Sequence, residues 1–221
     1  MQYHAALFDL DGTLLDSLRD IADATNRTLA AHGFPTHPQD AYRQFIGDGM
    51  TKLIARALPA DRREGPTLPT CVEYYRGDYG AHWNVHSRLY DGIPAMLDGL
   101  VARQIRLAIL SNKPDEFVQQ CVRQYLGAWR FDVIMGAGAG YPHKPDPAAA
   151  LAIAGEMGKR RDRFVYLGDM EVDIATARAA GMLAVGAAWG FRTPAQLTAA
   201  GAQFSLTDPL QLLEIVGAPN R

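Results

Sequence analysis

His4-Ala5-Ala6-Leu7-Phe8-Asp9-Leu10-Asp11-Gly12-Thr13 is the stretch on which the reading of this chain turns. A short, mostly apolar run ends in a carboxylate, and a Gly-Thr turn follows. This is the pattern of a buried strand that delivers a polar group at its C-terminal end. The pattern recurs downstream. Arg106-Leu107-Ala108-Ile109-Leu110 ends at Ser111, Phe131-Asp132-Val133-Ile134-Met135 at Gly136, and Phe164-Val165-Tyr166-Leu167 at Gly168, while Leu183-Ala184-Val185-Gly186-Ala187 makes a fifth run. None alternates clearly between apolar and polar residues, as expected of parallel strands covered on both faces. Helical spacing fills the intervals, over Ile93 to Arg103, Asp115 to Tyr125, Ala148 to Met157 and Asp173 to Ala180, with a last stretch from Pro209 to Val216. Strand and helix in alternation predict an α/β fold built on a doubly wound parallel sheet.

From about Ser17 to His86 the alternation stops. The spacing there is helical throughout (Leu18, Ile21, Ala22, Thr25, Leu29; then Leu53, Ile54, Ala57, Leu58; then Val72, Tyr75), with no strand run. Residues 16–86 are therefore expected to form a helical insertion in an α/β domain made of residues 1–15 and 87–221. At 221 residues and 48% apolar composition the chain has enough material for both. A formal net charge of −2 leaves no basic stripe for nucleic acid, so an anionic ligand must be met by a few local groups. Cys71 and Cys121 show neither CxxC spacing nor a disulfide framework. The N-terminus lacks a signal-peptide pattern, and no apolar run approaches the roughly 20 residues that span a bilayer. The expectation is a reduced, cytoplasmic protein with a small-molecule ligand, no nucleic-acid or membrane partner, and a monomeric or homodimeric state.

In an open parallel sheet, ligands bind beyond the carboxyl ends of the strands near the point where strand order reverses. Four polar clusters are expected there: Asp9-Leu10-Asp11-Gly12-Thr13, Ser111-Asn112-Lys113, Lys144-Pro145-Asp146, and Gly168-Asp169 with Asp173 behind it. Asp9 and Asp169, far apart in sequence, would meet over a cation, and Mg²⁺ suits a site of two carboxylates and a backbone carbonyl. A phosphate monoester repels an attacking carboxylate unless its charge is offset, which calls for the cation, Lys144, the Ser111 hydroxyl and loop N–H groups together. Asp9 is then the candidate nucleophile. Asp11, two positions on, would protonate the leaving oxygen and afterwards activate water. Leu10 turns into the packing, Gly12 lets the backbone approach the phosphate, and Thr13 offers a hydroxyl.

Asp9-Leu10-Asp11-Gly12-Thr13-Leu14-Leu15-Asp16-Ser17 resembles the first motif of the haloacid dehalogenase superfamily, and Ser111, Lys144 and Gly168-Asp169 with Asp173 resemble the second, third and fourth. The resemblance implies a Rossmann-like core with a small all-helical cap. It also implies Asp9 as nucleophile, Asp11 as general acid/base, and Ser111 and Lys144 as holders of the phosphoryl group. Mg²⁺ would be bound by Asp9, Asp169 and the carbonyl of Asp11, with Asp173 supporting the metal shell. Members that displace halide lack the second Asp, so Asp11 argues for phosphoryl chemistry. Phe45-Ile46-Gly47-Asp48-Gly49-Met50 resembles the cap loop of the phosphoglycolate phosphatase branch, and Ser111-Asn112-Lys113-Pro114 its Thr-Asn-Lys-Pro segment, which adds Gly47, Gly49 and Asn112 as candidate substrate contacts. Met170 after Gly-Asp departs mildly from that pattern. The expected reaction is hydrolysis of a small phosphate monoester, 2-phosphoglycolate first, through an aspartyl-phosphate.

Other readings compete. The same motifs serve a pyrophosphatase, a nucleotidase, a sugar phosphatase or a hexose phosphate mutase, and a non-catalytic phosphate-binding module is a further alternative. Among single residues, Asp146 reads as a helix cap, Asp16 as a cap or hinge support, and the tyrosines 74, 75 and 79 with Trp83 as a core stripe. Lys113 is read two ways, as an anchor for Asp9 or Asp169 or as a solvated lysine, and the six histidines show no metal spacing.

Overall fold

The computed structural model describes residues 3–217. The chain opens with β1 (Ala5–Phe8) and a two-residue strand, β2 (Leu15–Asp16). Four helices follow: α1 (Leu18–Ala31), α2 (Tyr42–Phe45), α3 (Met50–Ala57) and α4 (Thr67–His82). A second two-residue strand, β3 (Arg88–Leu89), pairs with β2 where the chain returns. Helix and strand then alternate as α5 (Ile93–Ala102), β4 (Arg106–Pro114), α6 (Asp115–Tyr125), β5 (Phe131–Ala137), α7 (Ala148–Glu156), β6 (Phe164–Gly168), α8 (Glu171–Ala180), β7 (Leu183–Ala187), α9 (Pro194–Ala199), β8 (Phe204–Leu206) and α10 (Leu212–Val216). Two compact units result, Met1–Leu15 with Leu89–Arg221, and Asp16–Arg88.

The α/β unit is a six-stranded parallel sheet in the order β5-β4-β1-β6-β7-β8. All five strands read from the apolar runs are present. β8 and α9 were not anticipated: β8 is a three-residue edge strand whose Phe204 is exposed, too short to show a period. α9 does carry a local signal, a Thr193/Gln196 capping box in which each side chain accepts from the other's backbone N–H, with Pro194 at the first helical position. β1 lies at the centre. Phe8 pairs with Ile109 on one side and Leu167 on the other, and the Asp9 N–H donates to the Leu167 carbonyl at 3.0 Å. From β1 the sheet grows to β4 and β5 on one side and to β6, β7 and β8 on the other, so Asp9 emerges at the reversal of strand order.

Burial explains the lack of alternation in the runs. Ala5 to Phe8 and Phe164 to Leu167 are fully buried, so both faces of these strands are packed. One cluster joins Leu7, Ala108, Leu110, Phe164 and Tyr166 of the sheet to Ala150 and Ile153 of α7 and Ile174 and Ala177 of α8.

In the helical unit, Leu53, Ile54 and Ala57 of α3 and Cys71, Tyr75 and Tyr79 of α4 are buried, with the Tyr75 and Tyr79 rings stacked at 5.4 Å, while Tyr74 is exposed. Cys71 and Cys121 are both free and buried. Among the described residues no helix is long and apolar enough to cross a membrane.

Candidate functional site

The candidate residues of the α/β unit lie at the carboxyl ends of β1, β4 and β6, in the loops beyond β1, β5 and β6, and, for Asp173, in the first turn of α8. Lys144, in the loop before α7, is 3% exposed, and its ammonium lies 2.8 Å from Asp9 Oδ1 and 2.7 Å from Asp173 Oδ1. It donates hydrogen bonds to Asp173 and, at 3.3 Å, to the Leu110 carbonyl. Its approach to Asp9 is an ion-pair contact outside hydrogen-bonding angles. Asp9, Asp169 and Asp173 each offer a carboxylate oxygen, all within 4.8 Å of one another and all buried.

Three carboxylates around one ammonium leave negative charge in a place poor in water, and the acidities respond. Burial pushes the Asp9 carboxyl up to about 7, with the Asp173 charge adding to the push and Lys144 opposing it. Asp169 is pushed well up by burial and by the Asp173 and Asp9 charges, against the Phe191 N–H and the Thr13 hydroxyl. Burial alone would lower the Lys144 ammonium, but Asp173 and Asp9 hold it well above its usual range, so it stays charged. A hard divalent cation with oxygen ligands, Mg²⁺ above all, fits this donor set and would supply the missing positive charge. Asp169 keeps lone pairs for it. One of its oxygens accepts the Thr13 hydroxyl at 2.9 Å and the other the Phe191 N–H at 2.9 Å. Asp173, by contrast, is engaged with protein: Oδ1 with Lys144 and, at 3.4 Å, with the Tyr166 hydroxyl, and Oδ2 with the Met170 N–H at 3.0 Å, as the third residue of α8.

Several residues expected to touch a phosphate are turned to the protein instead. Thr13 is fully buried and spends its hydroxyl on Asp169. The Asn112 amide clamps the Lys144 main chain, accepting its N–H at 2.9 Å and donating to its carbonyl at 3.2 Å. The Gly12 N–H donates to the Leu15 carbonyl at 2.8 Å, and a Cβ at Gly12, where φ is +86°, would run into the Asp169 carboxylate. The glycine makes room for a carboxylate. Ser111 is buried at the β4 end, its Oγ accepting the Lys113 N–H at 3.3 Å. The Asp11 carboxylate stands outside the three-carboxylate group, its two oxygens 2.9 and 3.0 Å from Lys113 Nζ. Gly47 and Gly49 lie in the helical unit, in the turn between α2 and α3, at φ +124° and +88°. Asp48 between them pairs with Arg56, which also donates to the Phe45 carbonyl at 3.0 Å.

Sequence reasoning missed the loop after β7. Trp189 Nε1 donates to the Thr13 carbonyl at 2.9 Å, and a Cβ at Gly190 would overlap the Gly12 carbonyl and Asp169. The signal was a glycine between two aromatics directly after an apolar run. Lys113 is buried on Asp11, where its place in the sequence suggested Asp9 or Asp169 as partner, or solvent.

A parallel sheet that gathers carboxylates from two central strands around a loop lysine defines a class of hydrolase, and the chain belongs to the haloacid dehalogenase-like hydrolase family, whose model matches residues 6–187. Within that class it is similar to proteins named phosphoglycolate phosphatase. The one from Haemophilus influenzae (strain 86-028NP) is 32% identical over 97% of this chain and 99% of its own length. That of Xanthomonas campestris pv. campestris (strain 8004) is 35% identical over 85% of this chain and 84% of its own. Among solved structures, a chain from Lactobacillus delbrueckii subsp. bulgaricus matches with a TM-score of 0.92 at 28% identity, covering 99% of this chain and 100% of that one.

Proposed function

We propose that this chain is a Mg²⁺-dependent phosphatase of small phosphate monoesters, with 2-phosphoglycolate the foremost candidate substrate, working through an aspartyl-phosphate on Asp9. The observation that carries the reading is the buried group of Asp9, Asp169 and Asp173 about the Lys144 ammonium at the carboxyl edge of the sheet. The names and full-length similarity of the relatives support the substrate. Asp9 attacks phosphorus while Lys144 and the Ser111 hydroxyl hold the phosphoryl oxygens. Asp11 protonates the departing oxygen, then takes a proton from the water that hydrolyses the aspartyl-phosphate. Asp173, Asn112 and Leu110 fix Lys144, and Thr13 and the Phe191 N–H fix Asp169. Asp9, Asp169 and the Asp11 carbonyl, with Asp173 behind, would hold Mg²⁺, which would supply positive charge against the repulsion between a dianionic ester and the nucleophile. The Gly47-Asp48-Gly49 turn is the proposed substrate-reading element of the helical unit, and the two buried free thiols accord with a cytoplasmic location.

Phosphate release from 2-phosphoglycolate, β-glucose 1-phosphate, pyrophosphate and nucleoside monophosphates, with Mg²⁺ and with a chelator, tests the proposal. Turnover that requires Mg²⁺ and a kcat/KM for 2-phosphoglycolate far above the rest is expected. Activity led by pyrophosphate or a nucleotide keeps the chemistry and rejects the substrate, and no release from any ester rejects the phosphatase. Asp9→Asn, nearly isosteric but unable to attack, is expected to fold and to show no turnover; turnover like the parent protein's overturns the nucleophile.

A further inference from the structure

We propose that Lys113 is a positioning residue for the reaction, its ammonium setting the aim of the Asp11 carboxyl group toward the leaving oxygen. The inference rests on the reading of Asp11 as general acid and deepens it. Lys113 is 8% exposed, and its Nζ sits almost evenly between the two Asp11 oxygens, at 2.9 and 3.0 Å. A lysine is a poor choice for a buried position unless its charge is used. The backbone has been shaped to deliver it. Between Leu110, which pairs with Met135, and Pro114, which pairs with Ala137, four steps along β4 face two along β5, so Ser111, Asn112 and Lys113 ride on a bulge. A bulge re-aims side chains that a regular strand would alternate between its faces.

The far end of the bulge is pinned. The Gly136 N–H donates to Asp115 Oδ1 at 2.8 Å, and a Cβ on Gly136 would overlap the Asp115 backbone, so β5 carries no side chain where β4 crowds against it. Within the bulge the three residues divide the work. Ser111 presents a hydroxyl, Asn112 clamps the Lys144 backbone, and Lys113 grips Asp11 while its own N–H rests on Ser111 Oγ. One short segment thus couples the acid on the β1 loop to the phosphate-holding hydroxyl and to Lys144. An acid that must meet a leaving oxygen within hydrogen-bond reach loses rate when its side chain is free to turn. Lys113 removes that freedom: it holds the carboxylate by both oxygens, and in the acid form it keeps one oxygen while the other carries the proton toward the leaving group.

Leaving-group dependence separates this role from a structural one and from a general charge effect on the phosphate. Expulsion of p-nitrophenolate needs little protonation, whereas expulsion of an alkoxide needs a well-aimed acid. kcat/KM reports the steps through leaving-group departure. For Lys113→Met, kcat/KM for 2-phosphoglycolate and glycerol phosphate is expected to fall by about 10²-fold, in the range of one general acid. kcat/KM for p-nitrophenyl phosphate should fall far less. Because Asp11 also serves the second step, a burst of nitrophenolate equal to the enzyme concentration should appear. Lys113→Arg should restore part of the alkyl-ester rate. Asp11→Asn should show the same selectivity, and the double variant Asp11→Asn/Lys113→Met should lose no more than Asp11→Asn alone. Equal losses on aryl and alkyl esters from Lys113→Met, with Asp11→Asn selective, overturn the positioning role and leave the acid in place. Equal losses from Asp11→Asn as well overturn the acid reading and this inference with it.

Discussion

At the scale of single residues, the balance of charge around Lys144 sets the stability and the pH response expected of this cluster. Its ammonium touches Asp9 and Asp173 within 2.8 Å, and all three residues are buried. Removing one partner of a buried ion pair costs about 3–5 kcal/mol, because the charge left behind has no solvent. Lys144→Met is therefore expected to lower Tm by roughly 10 °C, and by more at pH 8 than at pH 5, where the stranded carboxylates take up protons. Calorimetry at the two pH values checks it, and an unchanged Tm at pH 8 refutes it. Asp9 gives a second prediction. Its folded-state value of about 7 lies above the ordinary 3.8, so the folded protein holds this proton more tightly than the unfolded chain does. The stability it contributes is fully present below about 3.8 and is lost as pH rises through about 7. Metal-free protein should lose Tm across that window, and Asp9→Asn, which cannot ionise, should flatten the decline. The identities of these residues were legible in their clusters; their division of labour was not. Thr13 and Asn112 carry groups that suit a phosphate equally well, and only the fold turns them onto Asp169 and the Lys144 backbone.

At the scale of elements, short apolar runs without alternation located five strands, because a strand packed on both faces shows no polar-apolar period in sequence. Edge strand β8 and the bulge in β4 left no such trace. The bulge depends on pairing with β5, a property of two segments that neither shows alone. α1 carries a comparable feature in the helical unit. Asp20, buried in its first turn, accepts the backbone N–H groups of His86 and Ser87 at 2.8 to 3.0 Å and the Ser87 hydroxyl at 2.7 Å. This ties the start of α1 to the segment that closes the unit. Asp20→Ala strands these donors, at about 1–3 kcal/mol for a buried unsatisfied group. A Tm lower by several degrees is expected from thermal denaturation, with Asp20→Asn less affected because its carbonyl still accepts. Equal stability of the alanine variant and the parent would rule out the tie.

For the whole molecule, the proposed metal binding would be linked to folding through the carboxylates. A cation that binds the folded chain alone, at a hundred times its Kd, adds about 2.7 kcal/mol, a rise in Tm of roughly 5–10 °C for a chain of this size. Addition of Mg²⁺ should produce such a rise and a chelator should reverse it. The gain should be larger at pH 8 than at pH 5, because the cation competes with the proton on Asp9. Asp169→Asn should abolish most of the response while keeping the fold; an undiminished response in that variant would place the cation elsewhere. The division of the chain was readable at this scale because a change of period, from strand-helix alternation to helix alone, persists for tens of residues. The units run Asp16–Arg88 and Met1–Leu15 with Leu89–Arg221, against expected bounds of 16–86 and of 1–15 with 87–221.

By itself the sequence determined the α/β class and marked out a helical stretch and the acidic, hydroxyl and ammonium groups now proposed for the site. Periodicity and strand-end chemistry are local, and local pattern survives in a linear text. The tertiary structure alone decided which group holds which. Asp9 and Asp169 meet because β1 and β6 are neighbours in the sheet, and Lys113 finds Asp11 because a bulge turns it there. Burial and neighbouring charge then raised the proton affinity of Asp9 and Asp169 beside one charged lysine. Neighbourhood and dielectric are properties of the folded volume, and no single segment of the chain encodes them.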